Sequence, residues 1–405
     1  MKLAVLLASA FVALAAPMAA RAQTTATTPA IDASLKEFAA ELDDAATAPD
    51  FVGLAVAVIQ NGQIAMVRTY GVRAAGGNER VTPDTVFRIA SLSKGFAGTL
   101  AAMEMADGKF KLTDKIAPLV PQFHLKKPAD TAAVTIEDVL SHRTGLPPFA
   151  YDKDLEAGMK PDEILGRYAQ VKPVCEPHDC FAYQNTAFNM IARVIELTTG
   201  RQYGQELQAR ILTPLGLHST SVGMAGLTSS GNWARPHRRV GLSWVPTTVK
   251  QPYYLLPAAG GVNASVLDMA HWMIAQMGLR PDVLSPAILD EVHKPRVDTP
   301  TETSRQRALR TPVKSTEYGL GFRTFNYAGH TLITHSGGVE GYLAQIAWLP
   351  ESKSGIVILS NTRGTRAGKI LPAWLDYELG LPKTDWFRMG DIALGANPPA
   401  NASGD

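Results

Sequence analysis

Three short motifs contain the residues whose types and spacing suit acyl transfer. They follow one another along the chain as Ser91-Leu-Ser-Lys94, Tyr183-Gln-Asn185 and His335-Ser-Gly337. Side chains three residues apart on a helix share a face, so the Ser91 hydroxyl and the Lys94 amine are predicted to be neighbours. A partly desolvated lysine can lose its proton near neutral pH and act as a base. The first motif therefore predicts a serine nucleophile that needs no histidine triad.

The pattern around Ser91 predicts the start of a helix. An extended segment, Thr85–Ala90, leads into it, and the residues from Leu92 to about Asp107 have helical periodicity that ends at Gly108. The free N–H groups and the dipole at a helix N-terminus favour negative charge. Ser91 is therefore either an ordinary N-cap or a nucleophile with a local stabiliser for the oxyanion.

The second motif lies just before a helix predicted over Thr186–Thr199. A tyrosine in this position is ordinarily a packing residue. Beside Ser91 and Lys94, however, the Tyr183 hydroxyl is expected to have a pKa lowered by Lys94 and to pass a proton to the leaving group. Asn185 is expected to hydrogen-bond Lys94 and a substrate amide.

The third motif is predicted to lie on a strand that faces the cleft. Glycine inside a strand often marks the close approach of a ligand or another backbone. We expect the N–H of Gly338 and that of Ser91 to form an oxyanion hole. The alternative is that His335 is simply a half-buried histidine of the sheet. The similar run Lys353-Ser-Gly355 follows Pro350 between two apolar segments and is predicted to be a hairpin turn.

The two cysteines of the chain, Cys175 and Cys180, precede Tyr183 by a few residues. In an exported protein, such a close pair is expected to form a disulfide, and a metal or redox pair is the alternative. A disulfide there would stiffen the loop that carries the second motif.

Residues 1–22 have the pattern of a secretory signal. Lys2 precedes the apolar run Leu3–Ala16, and Ala20-Arg-Ala22 is a cleavage site. We expect a periplasmic or secreted protein cleaved after Ala22, with neither a lipid anchor nor a membrane span. The chain has 39 Lys and Arg against 37 Asp and Glu, and loss of the signal balances them. Balanced charge gives no sign of nucleic acid binding.

Periodicity along the chain predicts a discontinuous α+β architecture. A strand hairpin turns at Asn61-Gly62 in the first part, and strands return from about Tyr318. We expect an α/β lobe with an antiparallel sheet, formed by residues 23–90 and 318–385, with a mostly helical lobe, residues 91–317, inserted between them. Residues 386–405 are rich in Gly, Pro, Ala and Asn and are predicted to be disordered.

The three motifs, in this order, resemble the serine β-lactamase and penicillin-binding protein superfamily, most closely its class C β-lactamase and family VIII esterase branch. The resemblance covers residues 31–381. It is supported by Val81–Ser91, Leu140-Ser-His-Arg-Thr-Gly-Leu146, Pro257-Ala-Ala-Gly-Gly261 and the spacing between His335 and Pro350.

The resemblance implies a β-lactamase/transpeptidase-like fold and assigns roles to the motif residues. Ser91 would be acylated, Lys94 would be its base partner and Tyr183 the general acid and base. Asn185, His335 and Ser336 would orient the substrate, with Gly337 in the third motif and Gly338 in the oxyanion hole. Class C β-lactamases typically carry Lys-Thr-Gly where this chain has His335-Ser-Gly337. The variant is similar to D-peptidases, D-aminopeptidases and several esterases.

The leading functional hypothesis is a serine hydrolase that cleaves a β-lactam or a related D-amino-acid amide. Such small-molecule substrates carry a carboxylate beside the scissile bond, and His335 is a weak cation at neutral pH. Arg363 and Arg366 are the candidate anchors, although a solvated loop explains both equally well.

Two alternatives stay open, namely a carboxylesterase using the same site and a penicillin-binding or sensor protein that is acylated without turnover. A Gly-x-Ser-x-Gly elbow and a His-Glu-x-x-His motif are both missing from the sequence. We therefore expect no metal and no cofactor, and the sequence leaves the oligomeric state open.

Overall fold

The structure is a computed structural model in which residues 32–387 are described. The predicted signal segment, residues 1–22, and the part of the predicted tail from residue 388 onward lie outside the described residues. Among the described residues the strands are β1 Gly53–Gln60, β2 Gln63–Gly71, β3 Phe87–Arg88, β4 Ser221–Val222, β5 His237–Val240, β6 Ser243–Pro246, β7 Val262–Ala264, β8 Val297–Asp298, β9 Val313–Tyr318, β10 Arg323–Tyr327, β11 His330–Val339, β12 Tyr342–Leu349 and β13 Ser354–Ser360.

Most of the helices lie between β2 and β9. In chain order they are α1 Ala33–Ala45, α2 Ser93–Ala106, α3 Pro128–Ala133, α4 Ile136–Leu140, α5 Asp152–Glu156, α6 Pro161–Arg167, α7 Met190–Thr199, α8 Tyr203–Leu207, α9 Thr213–Leu215, α10 Met224–Thr228, α11 Pro257–Gly260, α12 Val266–Ile274, α13 Pro286–His293, α14 Pro300–Ala308 and α15 Ile370–Glu378.

An eight-stranded antiparallel sheet joins the two ends of the chain. Its strand order is β2-β1-β13-β12-β11-β10-β9-β8. Strand β1 pairs with β13 from Leu54 opposite Ser360 to Ile59 opposite Gly355, so the sheet is discontinuous in sequence, as predicted. The β1–β2 hairpin turns at Asn61 and Gly62, whose φ angles of 50° and 75° match the tight turn that the Asn-Gly pair predicts.

Each face of the sheet packs against its own hydrophobic core. Because successive side chains of a strand point to opposite faces, Leu54 and Val56 of β1 pack with α1 and α15, while Ala55 and Ala57 pack with the helices of the middle segment. Helix α2 crosses this second core and is buried from Ser93 to Glu104. A helix that is buried on all sides brings even a polar side chain such as Lys94 into the protein interior.

The boundaries of the sheet differ from the expected ones in two places. Strands β8 and β9 join the sheet before the expected boundary at residue 318. Strand β8 has only two residues, and β9 follows the polar helix α14 without a regular alternation of buried and exposed residues, so periodicity does not reveal either strand. At the other end, the predicted disordered tail was placed too early, since Trp386 and Phe387 are buried against α1 and α15. The Trp386 indole N–H donates to Asp376 at 2.7 Å, a contact that composition alone does not reveal.

Candidate active site

Ser91 lies in a single 3₁₀ turn, Ala90–Leu92, and the α-helix begins two residues later at Ser93. The preceding Ala90 has a φ of 48°, a backbone conformation that non-glycine residues rarely adopt. Ser93 holds the turn in place, because its hydroxyl donates to the Ala90 carbonyl at 2.6 Å and accepts from the Val262 N–H at 3.0 Å. The nucleophile candidate is therefore fixed by the strand that follows α11 as well as by its own helix.

Lys94 is fully buried beneath Ser91, and in its protonated form its three N–H donors face three acceptors. Its Nζ lies 3.5 Å from the Ser91 hydroxyl oxygen, 2.7 Å from Asn185 Oδ1 and 2.9 Å from the Ala259 carbonyl oxygen. Burial lowers the pKa of Lys94 to about 7, with the positive charge of Arg323 acting in the same direction and the carboxylate of Asp152 opposing it. A pKa of about 7 allows Lys94 to exist as a neutral amine near neutral pH.

Tyr183 lies beside Lys94, with the Lys94 Nζ 4.6 Å from the centre of the tyrosine ring. The expectation that Lys94 lowers its pKa is wrong. Burial raises the pKa of Tyr183 and outweighs the opposing effects of the Ser91 hydroxyl and Arg323. The Tyr183 hydroxyl oxygen is buried without a hydrogen bond of normal geometry among residues 32–387. Tyr183 is thus a protonated donor in the resting protein, and Lys94 is the group that titrates near neutral pH.

Asn185 connects Lys94 to a buried carboxylate that the sequence did not single out. Its Nδ2 donates to Asp152 Oδ2 at 2.6 Å, while its Oδ1 accepts from Lys94. Asp152 begins the short helix α5, far from Asn185 in sequence, so no local motif could indicate the contact. The resulting chain Lys94–Asn185–Asp152 fixes the amide orientation and places a negative charge behind the lysine.

Strand β11 passes directly against the Ser91 turn. A Cβ atom at Gly337 would lie 2.3 Å from the Ile89 carbonyl oxygen and 3.0 Å from the Ser91 nitrogen, so only glycine allows this approach. Pairing with β10 stops at Thr334, whereas pairing with β12 continues from Ile333 to Val339. The edge of β11 beyond Thr334 therefore carries Gly338, the expected oxyanion donor, past Ser91.

His335 is buried and held by both ring nitrogens. Its Nδ1 lies 2.9 Å from the Ser336 carbonyl oxygen, and its Nε2 lies 3.1 Å from the Tyr318 hydroxyl. A carbonyl can only accept, so the proton is assigned to Nδ1 and Nε2 accepts from Tyr318. Burial, Arg323 and Lys94 hold the pKa of His335 well below its usual range. His335 is therefore a neutral structural link and not the cation of the site.

A cation that faces the site and was not predicted from the sequence is Arg323 of β10. Its guanidinium carbon lies between 5.4 and 5.9 Å from the ring centres of Phe181, Tyr183 and Tyr318. Its Nη1 is buried and has no hydrogen-bond partner in the described part of the chain. Burial alone would raise the pKa of the nearby Glu302 carboxyl. The positive charge of Arg323, together with hydrogen bonds from other residues, outweighs burial and lowers this pKa. The only signal in the sequence for this role was an arginine within a run of residues that favour a strand.

The two arginines proposed from sequence lie in different places. Arg363 lines the cleft, and a Cβ atom at Gly338 would lie 3.4 Å from its Nη2. Arg366 does not line it, and its backbone N–H donates to Asp50 Oδ2 at 3.1 Å. Ser336 lines the cleft, and its hydroxyl accepts a long hydrogen bond of 3.4 Å from Gln345. Of the two arginines, only Arg363 remains a candidate anchor.

The loop that carries Tyr183 is tied down by a disulfide and by backbone hydrogen bonds. Cys175 and Cys180 are bonded to each other, as expected. The Ala182 N–H donates to the His142 carbonyl at 2.9 Å, and the Phe149 N–H donates to the Tyr183 carbonyl at 2.8 Å. The His142 ring also packs against Tyr183, with ring centres 4.4 Å apart. His142 belongs to the Leu140–Leu146 stretch, so a sequence signal for this support existed.

A cleft of about 1000 Å³ opens over these residues. Ser91, Tyr183, Arg323, His335 and Gly338 all line it, whereas Lys94 lies beneath its floor. Within residues 32–387, no group of three or more His, Cys, Asp or Glu side chains is placed to hold a metal ion. No helix in the same range combines the length and the apolar character needed to cross a membrane.

Known proteins resemble this chain over most of its length. The sequence profile described as Beta-lactamase matches residues 35–378. The unguisins hydrolase of Aspergillus campestris is 30% identical over 325 residues, which are 76% of this chain and 58% of that protein. A β-lactamase of Pseudomonas fluorescens is 24% identical over 344 residues, covering 80% of this chain and 92% of that protein. This chain thus spans less than two thirds of the unguisins hydrolase but nearly all of the β-lactamase.

A solved structure confirms the fold class. The octameric penicillin-binding protein homologue from Pyrococcus abyssi superposes with a TM-score of 0.75 at 22% identity, covering 85% of this chain and 77% of that one. The α+β fold, with helices flanking an antiparallel sheet, is therefore the one that the resemblance implied. The profile match over most of the chain establishes that this protein belongs to the Beta-lactamase family.

Proposed function

We propose that this protein is a serine hydrolase that forms an acyl-enzyme at Ser91 and cleaves a β-lactam or a related D-amino-acid amide. The observation that carries the proposal is the buried Lys94, whose pKa of about 7 and whose 3.5 Å distance from the Ser91 hydroxyl suit a general base. Apo sites often have long catalytic hydrogen bonds that tighten when substrate binds.

In the acylation step, Lys94 takes the Ser91 proton as the serine oxygen attacks the substrate carbonyl. The N–H groups of Ser91 and Gly338 stabilise the oxyanion, supported by the close approach of β11 to the Ser91 turn. Tyr183 gives its proton to the leaving nitrogen as the carbon–nitrogen bond breaks. The proton on Lys94 then replaces the one that Tyr183 lost, so both groups return to their starting states.

In the deacylation step, water attacks the acyl carbon and releases Ser91. Lys94 and Tyr183 together accept the water proton and return a proton to the serine oxygen. Lys94 is buried beneath the floor of the cleft and the Tyr183 hydroxyl oxygen is buried beside it, where low polarity strengthens the hydrogen bonds that guide these transfers.

Arg323 supports a substrate with a carboxylate near the scissile bond. A guanidinium binds a carboxylate through two parallel hydrogen bonds, and one arm of this guanidinium is buried without a partner in the described chain. Tyr183 lies within 5.9 Å of the same guanidinium, so a carboxylate held there would lie near the proton donor. An uncharged ester has no anionic group for this guanidinium to bind.

A carboxylesterase is the second candidate, because a cleft of about 1000 Å³ admits substrates much larger than a small amide. We also propose that the protein is exported to the periplasm or secreted, since its disulfide suits an oxidising compartment. The predicted signal that would direct export lies outside the described residues.

Parallel turnover of nitrocefin and p-nitrophenyl butyrate separates these functions. We expect both to be hydrolysed by the native protein and neither by Ser91→Ala, with nitrocefin preferred. Ester turnover without nitrocefin turnover would replace the amide hydrolase with an esterase. A stoichiometric adduct without turnover would indicate a penicillin-binding or sensor protein. Full activity of Ser91→Ala would refute the acyl-enzyme itself.

A further inference from the structure

Strands β5 and β6 form a hairpin whose residues do not line the cleft at Ser91. They pair only with each other, and the last pair before the turn is Val240 opposite Ser243. The connection is therefore the two-residue turn Gly241-Leu242, which places Leu242 at the tip of the hairpin. Leu242 is 85% exposed, more than any other large apolar side chain among residues 32–387. The hairpin thus ends in an aliphatic side chain that the described part of the chain leaves uncovered.

One face of the hairpin, its inner face, is fixed to the rest of the protein. Arg239 lies opposite Trp244, so their side chains share this face. The Trp244 indole N–H donates to the Pro49 carbonyl at 2.9 Å, and the Arg239 guanidinium lies 3.8 Å from the Asp50 carboxylate. These contacts hold the inner face against the segment before β1. Because successive side chains of a strand point to opposite faces, the neighbouring residues belong to an outer face that points away from the protein.

The outer face and the tip form one exposed surface, which we call the hairpin patch. It consists of Arg238, Val240, Leu242 and Val245. Arg238 lies opposite Val245, and Val240 is two residues further along β5, so all three belong to the outer face. Seven large apolar residues are exposed among residues 32–387, and three of them are in this patch. Single exposed apolar residues are normal, but three within six positions indicate an interaction surface.

The hairpin patch lies in a part of the chain that carries only positive charge. Residues 207–267 contain five Lys and Arg residues but neither Asp nor Glu. Arg239 and Lys250 form ion pairs with carboxylates from other parts of the chain. Arg235 and Arg238 are exposed and form no ion pair among the described residues. The apolar tip is therefore accompanied by two cations whose charge is not neutralised by a neighbouring carboxylate.

We propose that the hairpin patch binds the surface of an anionic lipid bilayer. Leu242 enters the boundary between headgroups and acyl chains, while Arg235 and Arg238 lie at the level of the lipid phosphates. Binding of this kind gains from buried apolar area and from attraction between cations and anionic lipids. The balanced charge of the whole chain does not oppose it, because the attraction acts over about 8 Å at physiological ionic strength. Such peripheral contact is neither a lipid anchor nor a membrane span.

A second copy of this chain and an acidic protein fit the hairpin patch less well. A two-fold contact between copies would bring the Arg238 side chains of both copies together and leave their charges unpaired. An interface between folded proteins typically involves about 20–30 residues on each side, whereas the patch has four residues on a convex tip. Each apolar side chain that enters a bilayer is stabilised there individually, so a bilayer requires no such area.

Co-sedimentation with vesicles of two compositions tests this binding. One set is phosphatidylcholine alone, and the other is phosphatidylcholine with about a third of phosphatidylglycerol, which is anionic. The protein is used without residues 1–22, because the apolar run of the predicted signal would itself bind lipid. We expect the partition coefficient for the anionic vesicles to be about tenfold higher than for the neutral ones at low salt. The difference should shrink in high salt, which screens the attraction.

Two variants locate the binding in the hairpin patch. Leu242→Ser removes the apolar tip without changing the charge and should lower the partition coefficient for anionic vesicles about tenfold. Its matched control is Leu197→Ser, at an exposed position on α7, which should bind as the native protein does. Arg238→Gln should weaken binding to anionic vesicles about fivefold and leave binding to neutral vesicles unchanged. Its control is Arg193→Gln, at another exposed position on α7.

The outcomes also separate lipid binding from the proposed hydrolysis. No binding of the native protein to anionic vesicles, or binding that Leu242→Ser leaves unchanged, would overturn the lipid-binding role of the patch. A native dimer that Leu242→Ser dissociates, without vesicle binding, would instead assign the patch to a contact between copies. Vesicle binding requires no turnover, so Ser91→Ala should bind vesicles as tightly as the native protein. Leu242→Ser should in turn keep the native activity on p-nitrophenyl butyrate in the absence of vesicles.

Discussion

The floor and the far wall of the cleft are organised in opposite ways. On the floor, Lys94 has an acceptor for each of its donors, and Asn185 is fixed between Lys94 and Asp152. On the wall, the Nη1 of Arg323 is buried without a partner among the described residues. The floor is thus arranged before any substrate arrives, whereas the wall leaves a polar group that is free to bind a substrate. This difference separates chemistry from recognition, and variants of the two regions should give different kinetic signatures.

The largest effect is expected from removing the base on the floor. Lys94→Ala should lower kcat by about 10³-fold, because general-base assistance typically contributes between 10² and 10⁴. The measurement is steady-state kinetics on nitrocefin and p-nitrophenyl butyrate. Lys353→Ala is the matched control, since Lys353 lies in the β12–β13 turn. A Lys94→Ala protein with near-native kcat would show that the floor does not supply the base.

The pH dependence of kcat/KM should report the same group. The catalytic form has neutral Lys94, so activity should fall about tenfold per unit as the pH drops below about 7 and level off above it. The opposite sign, with activity rising toward acid, would mean that the protonated lysine is the active form. His335 should not contribute to this limb, since the pKa of His335 lies well below its usual range.

On the wall, Arg323→Gln should affect recognition more than chemistry. Because Arg323 also lowers the pKa of Lys94, the two proteins are compared at a pH above the acid limb of both, where Lys94 is neutral. There we expect a rise in KM of roughly 10- to 100-fold for nitrocefin, which has a carboxylate, and little change for p-nitrophenyl butyrate, since losing a charge-assisted hydrogen bond costs about 1.5–3 kcal/mol. Arg363→Gln is the comparison, and its effect should be smaller because Arg363 is exposed. If Arg323→Gln lowered kcat/KM equally for both substrates, Arg323 would contribute to the chemical step and not to recognition of the carboxylate.

A variant with a smaller expected effect, Asp152→Asn, tests how Asp152 influences the pKa of Lys94. Asp152 raises the pKa of Lys94, so Asp152→Asn should move the acid limb of the pH profile to lower pH. The new amide can still accept a hydrogen bond from Asn185, which keeps the loss of kcat modest. A lowered kcat with an unmoved limb would mean that Asp152 acts only through packing.

The smallest effect on activity is expected at the disulfide. Replacing Cys175 and Cys180 together with serine should lower the free energy of unfolding by roughly 2 kcal/mol, on the chain-entropy view of so short a loop. Chemical denaturation measures this change directly. Because backbone hydrogen bonds to the His142–Phe149 segment also hold Tyr183, kcat should stay within a few-fold of the native value. A collapse of kcat in a folded double variant would show that the disulfide alone positions Tyr183.

The sequence predicted the floor better than the wall for a physical reason. Ser91 and Lys94 are one helical turn apart, and Gly337 marks a close backbone approach, so local rules describe them. Arg323 reaches the site only through the pairing of β10 with β11, and Asp152 only through the packing of α5. The predicted direction of the Tyr183 pKa shift was wrong, because the motif shows a neighbouring cation but not how deeply the tyrosine hydroxyl is buried.

The errors in the predicted fold also arise from contacts between residues that are distant in the sequence. The Asn61-Gly62 hairpin and the return of the chain into the sheet follow strong local patterns. The short strands β8 and β9 exist because they complete the edge of a sheet, and Trp386 is ordered by Asp376 and the core around α15. These features depend on tertiary contacts that periodicity does not report.

Both proposed catalytic steps depend on acylation of Ser91, and trapping the acyl-enzyme tests whether it forms. Native protein turning over p-nitrophenyl butyrate is quenched in acid, and the intact mass and the digested peptides are measured. We expect a butyryl adduct on the peptide that contains Ser91, and no adduct in Ser91→Ala. An adduct on another residue, or undiminished turnover by Ser91→Ala, would contradict it.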